Sequence, residues 1–233
     1  MKLCLAPNPG LMTLEGTNTW ILPGGVVIDP GPLDDGHLAR VREAAGEVTL
    51  VLLTHGHQDH SEAATAFDCP VRAWDDGFCA AGGAPLVDGE SVAGLRVLHV
   101  PGHTSDSVAF WYAASSSLFT GDTVLGRGTS VVAHPDGALA PYLTSLQRLR
   151  TLVENEGVQE LLPGHGPTVT KPAEVLDFYL THREERLAQV RAAVAAGATT
   201  AQDVVERVYA DVDRALWPAA ERSVRAQLDY LAR

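Results

Sequence analysis

Cysteine is scarce in this chain: Cys4, Cys69 and Cys79 are the only three among 233 residues. The number is odd and the spacing matches no thiolate metal site, so a disulfide framework and a cysteine-ligated metal are both excluded. The three read as small buried hydrophobes. Long apolar runs are missing as well, and none is long enough to span a bilayer, so no membrane partner is expected. The first eight residues, Met1 to Asn8, hold one Lys and then break at Pro7, without the apolar stretch of an export signal. A cytoplasmic protein is the expectation. Basic charge is also in short supply, with 17 Lys and Arg against 29 Asp and Glu and a net charge of −12. Residues 1–171 carry 9 basic and 19 acidic side chains, and residues 172–233 carry 8 and 10. No basic stripe is present to neutralise a phosphate backbone, which counts against strong non-specific nucleic-acid binding. Internal repeats and low-complexity tracts are absent too.

What is there is an ordinary globular composition, 45% hydrophobic and 20% charged. Apolar segments over Thr19–Leu22 and Val26–Asp29, separated by Pro23-Gly24-Gly25, form a hairpin pattern. A helix is expected over residues 34–45, with Leu38, Val41 and Ala45 on one face. The run Val48 to Leu53 reads as a buried strand. A helix from about Ser61 should follow, then strands at 71–73, 95–100, 108–112 and 117–120. A helix at 143–153 and a short strand at 161–163 complete this part. Two batches of strands, each followed by helices, imply an α/β fold of the αββα sandwich type, placed at residues 1–171. After Pro172 the pattern becomes helical. Three helices are expected: 173–196 ending at Gly197, a second capped by Thr200 with Asp203, and a third after Pro218. Residues 172–233 thus read as a small helical, winged-helix-like appendage without the two strands of a wing.

The most informative stretch is Thr54-His55-Gly56-His57-Gln58-Asp59-His60, at the carboxyl end of the 48–53 strand. Three imidazoles and a carboxylate within six positions are hard to explain by packing. Three more candidates, His103, Asp122 and His165, each stand in a glycine-containing turn straight after an apolar strand. Ligands at the carboxyl ends of neighbouring strands converge on one edge of a sandwich. Imidazoles and carboxylates without thiolate suit zinc, and also manganese or iron. Seven ligands exceed one open tetrahedral site and match two divalent cations sharing a carboxylate.

With these residues the chain resembles the metallo-β-lactamase superfamily, whose HxHxDH signature stands here as His55, His57, Asp59 and His60. The resemblance implies one metal on His55, His57 and His103, a second on Asp59, His60 and His165, and Asp122 bridging. It implies the metallo-β-lactamase fold, with zinc as the usual metal. Within the superfamily, Asn8 to Thr19, Gly121 to Ser130 and His182 to Arg186 are similar to the β-lactamase-like protein 2 group. Animal members of that group are single-strand-specific endoribonucleases, and bacterial ones are described as hydrolases or as glyoxalase II-like. The acidic balance and short tail of this chain depart from the animal proteins.

The chemistry expected is hydrolysis by a hydroxide bridging the metals, attacking a carbonyl or phosphoryl centre, with Asp59 and Asp122 as the catalytic carboxylates. The substrate is expected to be a small acyl or thioester compound or single-stranded RNA. A thiolate leaving group needs no general acid, and none is evident in the sequence. A non-catalytic binding module is disfavoured because all seven ligands are in place. Asn18 and Thr19, together with Arg127, Thr129, Ser130 and His134, are the expected lining of a substrate pocket. His37 and His182 are expected in solvent, and His99 in a structural role.

Overall fold

The structure is a computed structural model that describes residues 1–232. Its first sheet has β1 (Lys2–Leu5), β2 (Asn18–Leu22), β3 (Val26–Ile28), β4 (Leu50–Leu52) and β5 (Val71–Arg72), in that spatial order. The first three pair antiparallel, and β3, β4 and β5 run parallel. The second sheet is ordered β10-β9-β8-β7-β6, from β6 (Ser91–Val92), β7 (Leu95–His99), β8 (Val108–Tyr112), β9 (Ser117–Gly121) and β10 (Glu160–Pro163). Only the β9–β10 pair is parallel in it.

The inner strands are buried on both faces, so alternate residues feed two cores. Trp20, Leu22, Ile28 and Leu52 meet Val97, Phe110, Phe119 and Leu162 between the sheets. The opposite set, Ile21, Val27, Val51 and Leu53, packs on Leu38 and Val41 of α1 (Asp35–Ala45). On the far side, Leu98, Trp111, Leu118 and Leu161 pack on Tyr142, Leu146 and Leu149. These three belong to a long helix at Leu139–Glu156. The result is the four-layer αββα sandwich, as expected.

The helix anticipated from Ser61 is instead a single turn, α2 (Gln58–Ser61), followed by a 3-10 turn at Ala64–Ala66. The chain tightens earlier because the His57 carbonyl accepts from the backbone amides of both His60 and Ser61, 3.0 Å each. Asp59 and His60 therefore sit inside a helical turn rather than in a free loop. The long helix at 139–156 becomes α3, a turn longer at its start than the sequence pattern implies, and it ends where Gly157 takes φ +68°.

The tail comprises α4 (Pro172–Ala195), α5 (Ala201–Val208) and α6 (Trp217–Leu231). Leu176 and Tyr179 in the first half of α4 belong to the core beneath the second sheet. Val190 and Ala193 in its second half join Val204, Val205 and Val224 in a separate small core. Thr200 and Asp203 form the anticipated capping box. Among the described residues no strand follows β10.

Candidate metal centre

Three ligand-bearing turns leave strands at the same sandwich edge. His55 follows β4, Asp122 follows β9 and His165 follows β10, while His103 lies between β7 and β8. The turns can approach only because two of them use glycine. Gly121 takes φ +48°, and a Cβ there would stand 2.6 Å from Thr54 Oγ1. A Cβ on Gly164 would stand 2.6 Å from His60 Cε1.

All seven predicted ligands converge. His57 Nδ1 lies 3.0 Å from His55 Nε2 and 3.1 Å from His103 Nε2. Nearby, His165 Nε2 lies 3.2 Å from His60 Nε2 and 3.1 Å from Asp59 Oδ2. Asp122 stands between the groups, with Oδ1 3.5 Å from His60 Nε2, and Oδ2 3.3 Å from His165 Nε2 and 3.8 Å from His103 Nε2. His55, His60, His103 and His165 are buried, whereas His57 is exposed and Asp59 is 29% exposed. The centre therefore opens to solvent at His57 and Asp59.

The far nitrogens of the buried rings are already committed. His60 Nδ1 donates to Asp29 Oδ2 at 2.8 Å. His103 Nδ1 donates to the Val131 carbonyl at 2.8 Å, with Ser130 Oγ 3.1 Å away, and His165 Nδ1 donates to the Gly16 carbonyl at 3.1 Å. Thr54 Oγ1 donates to Asp29 Oδ2 at 2.7 Å and lies 3.1 Å from His55 Nδ1, from which it accepts. In each ring Nε2 is thus the atom left to ligate. Two bonds of about 2.05 Å at a tetrahedral angle set ligand atoms roughly 3.3 Å apart, close to the separations here. Asp122 Oδ1 is buried without a hydrogen-bond partner, an orphaned acceptor that a cation would satisfy. The residues fit a divalent metal.

The electrostatics split the cluster. Burial, reinforced by His60 and His103, keeps His55 well below its ordinary pKa. Burial, opposed by Asp122, brings His103 down to about 4. On the other side burial also disfavours charge, but Asp122 and Asp29 outweigh it and raise His60 to about 9. Asp122 and Asp59 likewise overcome burial and raise His165 to about 11. For Asp59, burial is overcome by His165 and His60, which hold it at about 2. His60 and His165 overcome burial at Asp122 too, and keep it well below the carboxylate range.

The expected pocket residues fare differently. Asn18 is buried, and its amide donates to the carbonyls of Pro163 and Gly166 at 3.0 and 2.8 Å, clamping the His165 turn instead of lining a pocket. Thr19 points inward, where its hydroxyl donates to Asp29 O at 2.7 Å and lies 2.9 Å from His37 Nε2. His37 is consequently buried, not in solvent. Arg127 is 60% exposed and pairs with Glu15 at 2.7 Å. His134 leaves the cluster for α6, where Nε2 lies 3.3 Å from Asp229 Oδ2. Ser130 does reach the centre, as a support of His103, and Thr129 is half-buried beside it. His99 stacks on Trp74 with ring centroids 3.7 Å apart.

Sequence reasoning missed Asp29 and Thr17. Asp29 takes φ +50°, accepts from the Thr54 amide at 2.8 Å and backs both His60 and, through Thr54, His55. Its signal was a lone carboxylate ending an apolar strand before Pro30-Gly31. Thr17 donates to Asp59 Oδ2 at 3.2 Å.

A family model described as the metallo-beta-lactamase superfamily matches residues 86–165, and one described as the beta-lactamase associated winged helix domain matches residues 200–233. The Beta-lactamase-like protein 2 homolog of Caenorhabditis elegans is 31% identical over 98% of this chain and 83% of its own. The Atrochrysone carboxyl ACP thioesterase of Aspergillus chevalieri is 31% identical over 89% of this chain and 72% of that protein. Among solved structures, a metallo-beta-lactamase family protein from Thermus thermophilus superposes with a TM-score of 0.82 at 22% identity, covering 99% of this chain and 92% of that chain. TTHA1623 in a di-iron-bound form gives a TM-score of 0.59 at 28% identity, covering 71% and 94%.

Proposed function

The chain belongs to the metallo-beta-lactamase superfamily, and from that membership we propose that it is a dinuclear metal-dependent hydrolase acting on an acyl thioester. The observation that carries the two-metal reading is the pair of ligand clusters, His55 with His57 and His103, and Asp59 with His60 and His165, on either side of Asp122. Two cations held there would acidify a shared water and polarise the electrophile. Zinc is the metal proposed. The di-iron form of TTHA1623 supports a two-metal site and makes iron the alternative.

The chain's own residues define the rest. Asp122 lies between both clusters, with Oδ1 near His60 and Oδ2 shared between His165 and His103. Asp59, at the opening, is the carboxylate placed to accept a hydrogen bond from an attacking water, while Thr17 fixes its Oδ2. The side chains hydrogen-bonded to the seven ligands from outside are Thr17, Asp29, Thr54 and Ser130, none of them a strong proton donor. A leaving group that departs without a proton suits this surrounding, and a thiolate does so. The likeness to the Atrochrysone carboxyl ACP thioesterase supports the same reading. Single-stranded RNA is the second reading. The resemblance to the Beta-lactamase-like protein 2 homologs favours it, and the net charge of −12 opposes it. Residues 1–171 form the catalytic unit in this proposal and 172–233 the appendage.

The test is a panel of acyl-coenzyme A and glutathione thioesters, a phosphodiester reporter and single-stranded RNA, with metal-analysed protein. Thioester turnover that disappears in Asp59→Ala is the expected result. Turnover that survives it, or a well-folded preparation binding fewer than about one metal per chain, would sink the proposal.

A further inference from the structure

Away from the metal cluster the chain buries a cation that has no carboxylate partner among the described residues. Arg183, on α4, is 5% exposed. Its Nη2 donates to the Ser130 carbonyl, and its guanidinium lies 5.0 Å from the centre of the Tyr142 ring. The arginines with carboxylate partners are Arg72, Arg96, Arg127, Arg148, Arg150 and Arg225, and Arg183 is not among them. Its Nε is buried with no hydrogen-bond partner. A cation taken out of water without an opposing charge is unfavourable, and buried polar atoms are normally paired.

Arg183 lines a cavity of about 220 Å³ between the 129–131 segment and the tail. Arg186, one turn further along α4, lines it too, with the hydroxyl-bearing Thr129, Ser130, Tyr209 and Ser223. Arg186 is held 4.3 Å from the Tyr209 ring centre, and its hydrogen bonds to Gln189 Oε1 and Val208 O both use Nη1. No Asp or Glu lines the cavity. In a chain with a net charge of −12, two guanidinium groups and four hydroxyl-bearing residues line one solvent-open cleft.

We propose that this cavity is a binding site for a phosphoryl group. Arginine pairs recognise phosphate through forked hydrogen bonds, and hydroxyls extend the set of donors around a tetrahedral anion. A carboxylate has only two oxygens to offer the same surround. Ser130 couples the cavity to the metal centre: its carbonyl accepts from Arg183 and its hydroxyl stands 3.1 Å from His103 Nδ1. The phosphoryl group is either carried by the substrate at a distance from the scissile bond or bound as a free ion.

Equilibrium dialysis of inorganic phosphate against the metal-loaded full chain tests binding directly. Arg183→Gln and Arg186→Gln are each expected to weaken one phosphate site at least tenfold. Arg191→Gln, which removes an exposed charge from the same helix, should leave that site intact. Any phosphate held at the metals would be common to all these proteins and would cancel in the comparison. Arg186 is half-buried, so its variant reports even if loss of Arg183 prevents folding. Binding indistinguishable between wild type and Arg186→Gln overturns the proposal and leaves Arg183 as an anchor of the tail. Displacement by acetate as effective as by phosphate overturns the phosphoryl assignment. The kinetic arm rests on the hydrolase reading and identifies the source. With an acyl-coenzyme A and the same acyl group on phosphate-free pantetheine, Arg186→Gln should shift the ratio of the two KM values about tenfold if the substrate carries the group. An unmoved ratio with the dialysis site lost assigns it to free phosphate. No turnover of either thioester by any of the proteins removes the thioester reading, and the dialysis result alone then decides the cavity.

Discussion

The two sides of the ligand cluster each take two members from the same seven-residue stretch and one from a distant turn, yet differ in charge. His55, His57 and His103 form an all-imidazole side, in which burial holds His55 and His103 below their ordinary pKa values. Asp59, His60 and His165 form a mixed side, where carboxylates raise both imidazoles, to about 9 and about 11. The rise comes first from Asp122, joined by Asp29 behind His60 and by Asp59 beside His165, and the backing of His60 and His103 differs as well. His60 leans on the buried carboxylate of Asp29, whereas His103 leans on a neutral carbonyl. A hydrogen bond to a charged acceptor makes a ring a stronger electron donor than one to a neutral acceptor, so the two cations would sit in unequal environments.

Removing the shared member should have the largest effect. Asp122→Ala is expected to lower kcat/KM by about 10³-fold or more, several kcal/mol of transition-state stabilisation, and to deplete both metals. Turnover assays with metal analysis read this, and an active two-metal variant would contradict the bridging role. Next, His57→Ala and His165→Ala should each lose about one cation per chain and roughly 100-fold in rate, each from its own side. If either variant loses both cations, the sides are not separable. Smaller again, Asp29→Asn should weaken metal binding by about 10- to 100-fold, chiefly on the mixed side, and Thr54→Val should weaken the imidazole side by less. Equal losses on both sides in Asp29→Asn would erase the distinction drawn from backing.

The smallest effect serves as a control on the tail. Thr200→Ala should cost about 1 kcal/mol through the lost cap of α5, with metal content unchanged. Asp203 in the same capping box is held at about 2 by the backbone amides of Thr199 and Thr200 and by their hydroxyls. A carboxyl depressed in the folded state stabilises above its unfolded value of 3.8 and loses that contribution as pH falls to about 2. The difference in melting temperature between wild type and Asp203→Asn should therefore be constant above about pH 4 and shrink toward pH 2. A difference that grows in acid would contradict the assignment.

Eight of the ten described strands, the layers and the positions of the seven candidate ligands were legible because each announces itself locally: an apolar run, a glycine turn, then an imidazole or carboxylate; β1 and β6, short edge strands, were not read. The supports were not, since Asn18 meets Pro163 and Gly166 across 145 and 148 residues, and no local pattern encodes such a meeting. Thr19 was misread for a related reason: in a strand buried on both faces, a polar side chain finds its partners inside, here Asp29 and His37. His134 sits in a segment without periodicity, so only the packing of α6 decides where it goes. Arg183 stood within a stretch noted for resemblance alone; nothing in its neighbours shows that it is buried.

The clamp of Asn18 on the 163–166 turn, with Gly16 holding His165 Nδ1, also has a consequence in time. Contacts that close so long a loop form late, because chain entropy must be surrendered before they contribute. The rings at positions 55, 57 and 103 are separated by far less chain. A molecule refolding with metal present is therefore expected to fill its all-imidazole side first and to complete the mixed side only when the last strand docks beside the first hairpin. Stopped-flow refolding of His57→Ala and His165→Ala with a spectroscopically visible cation would resolve the two events, and simultaneous filling would show that assembly is not ordered in this way.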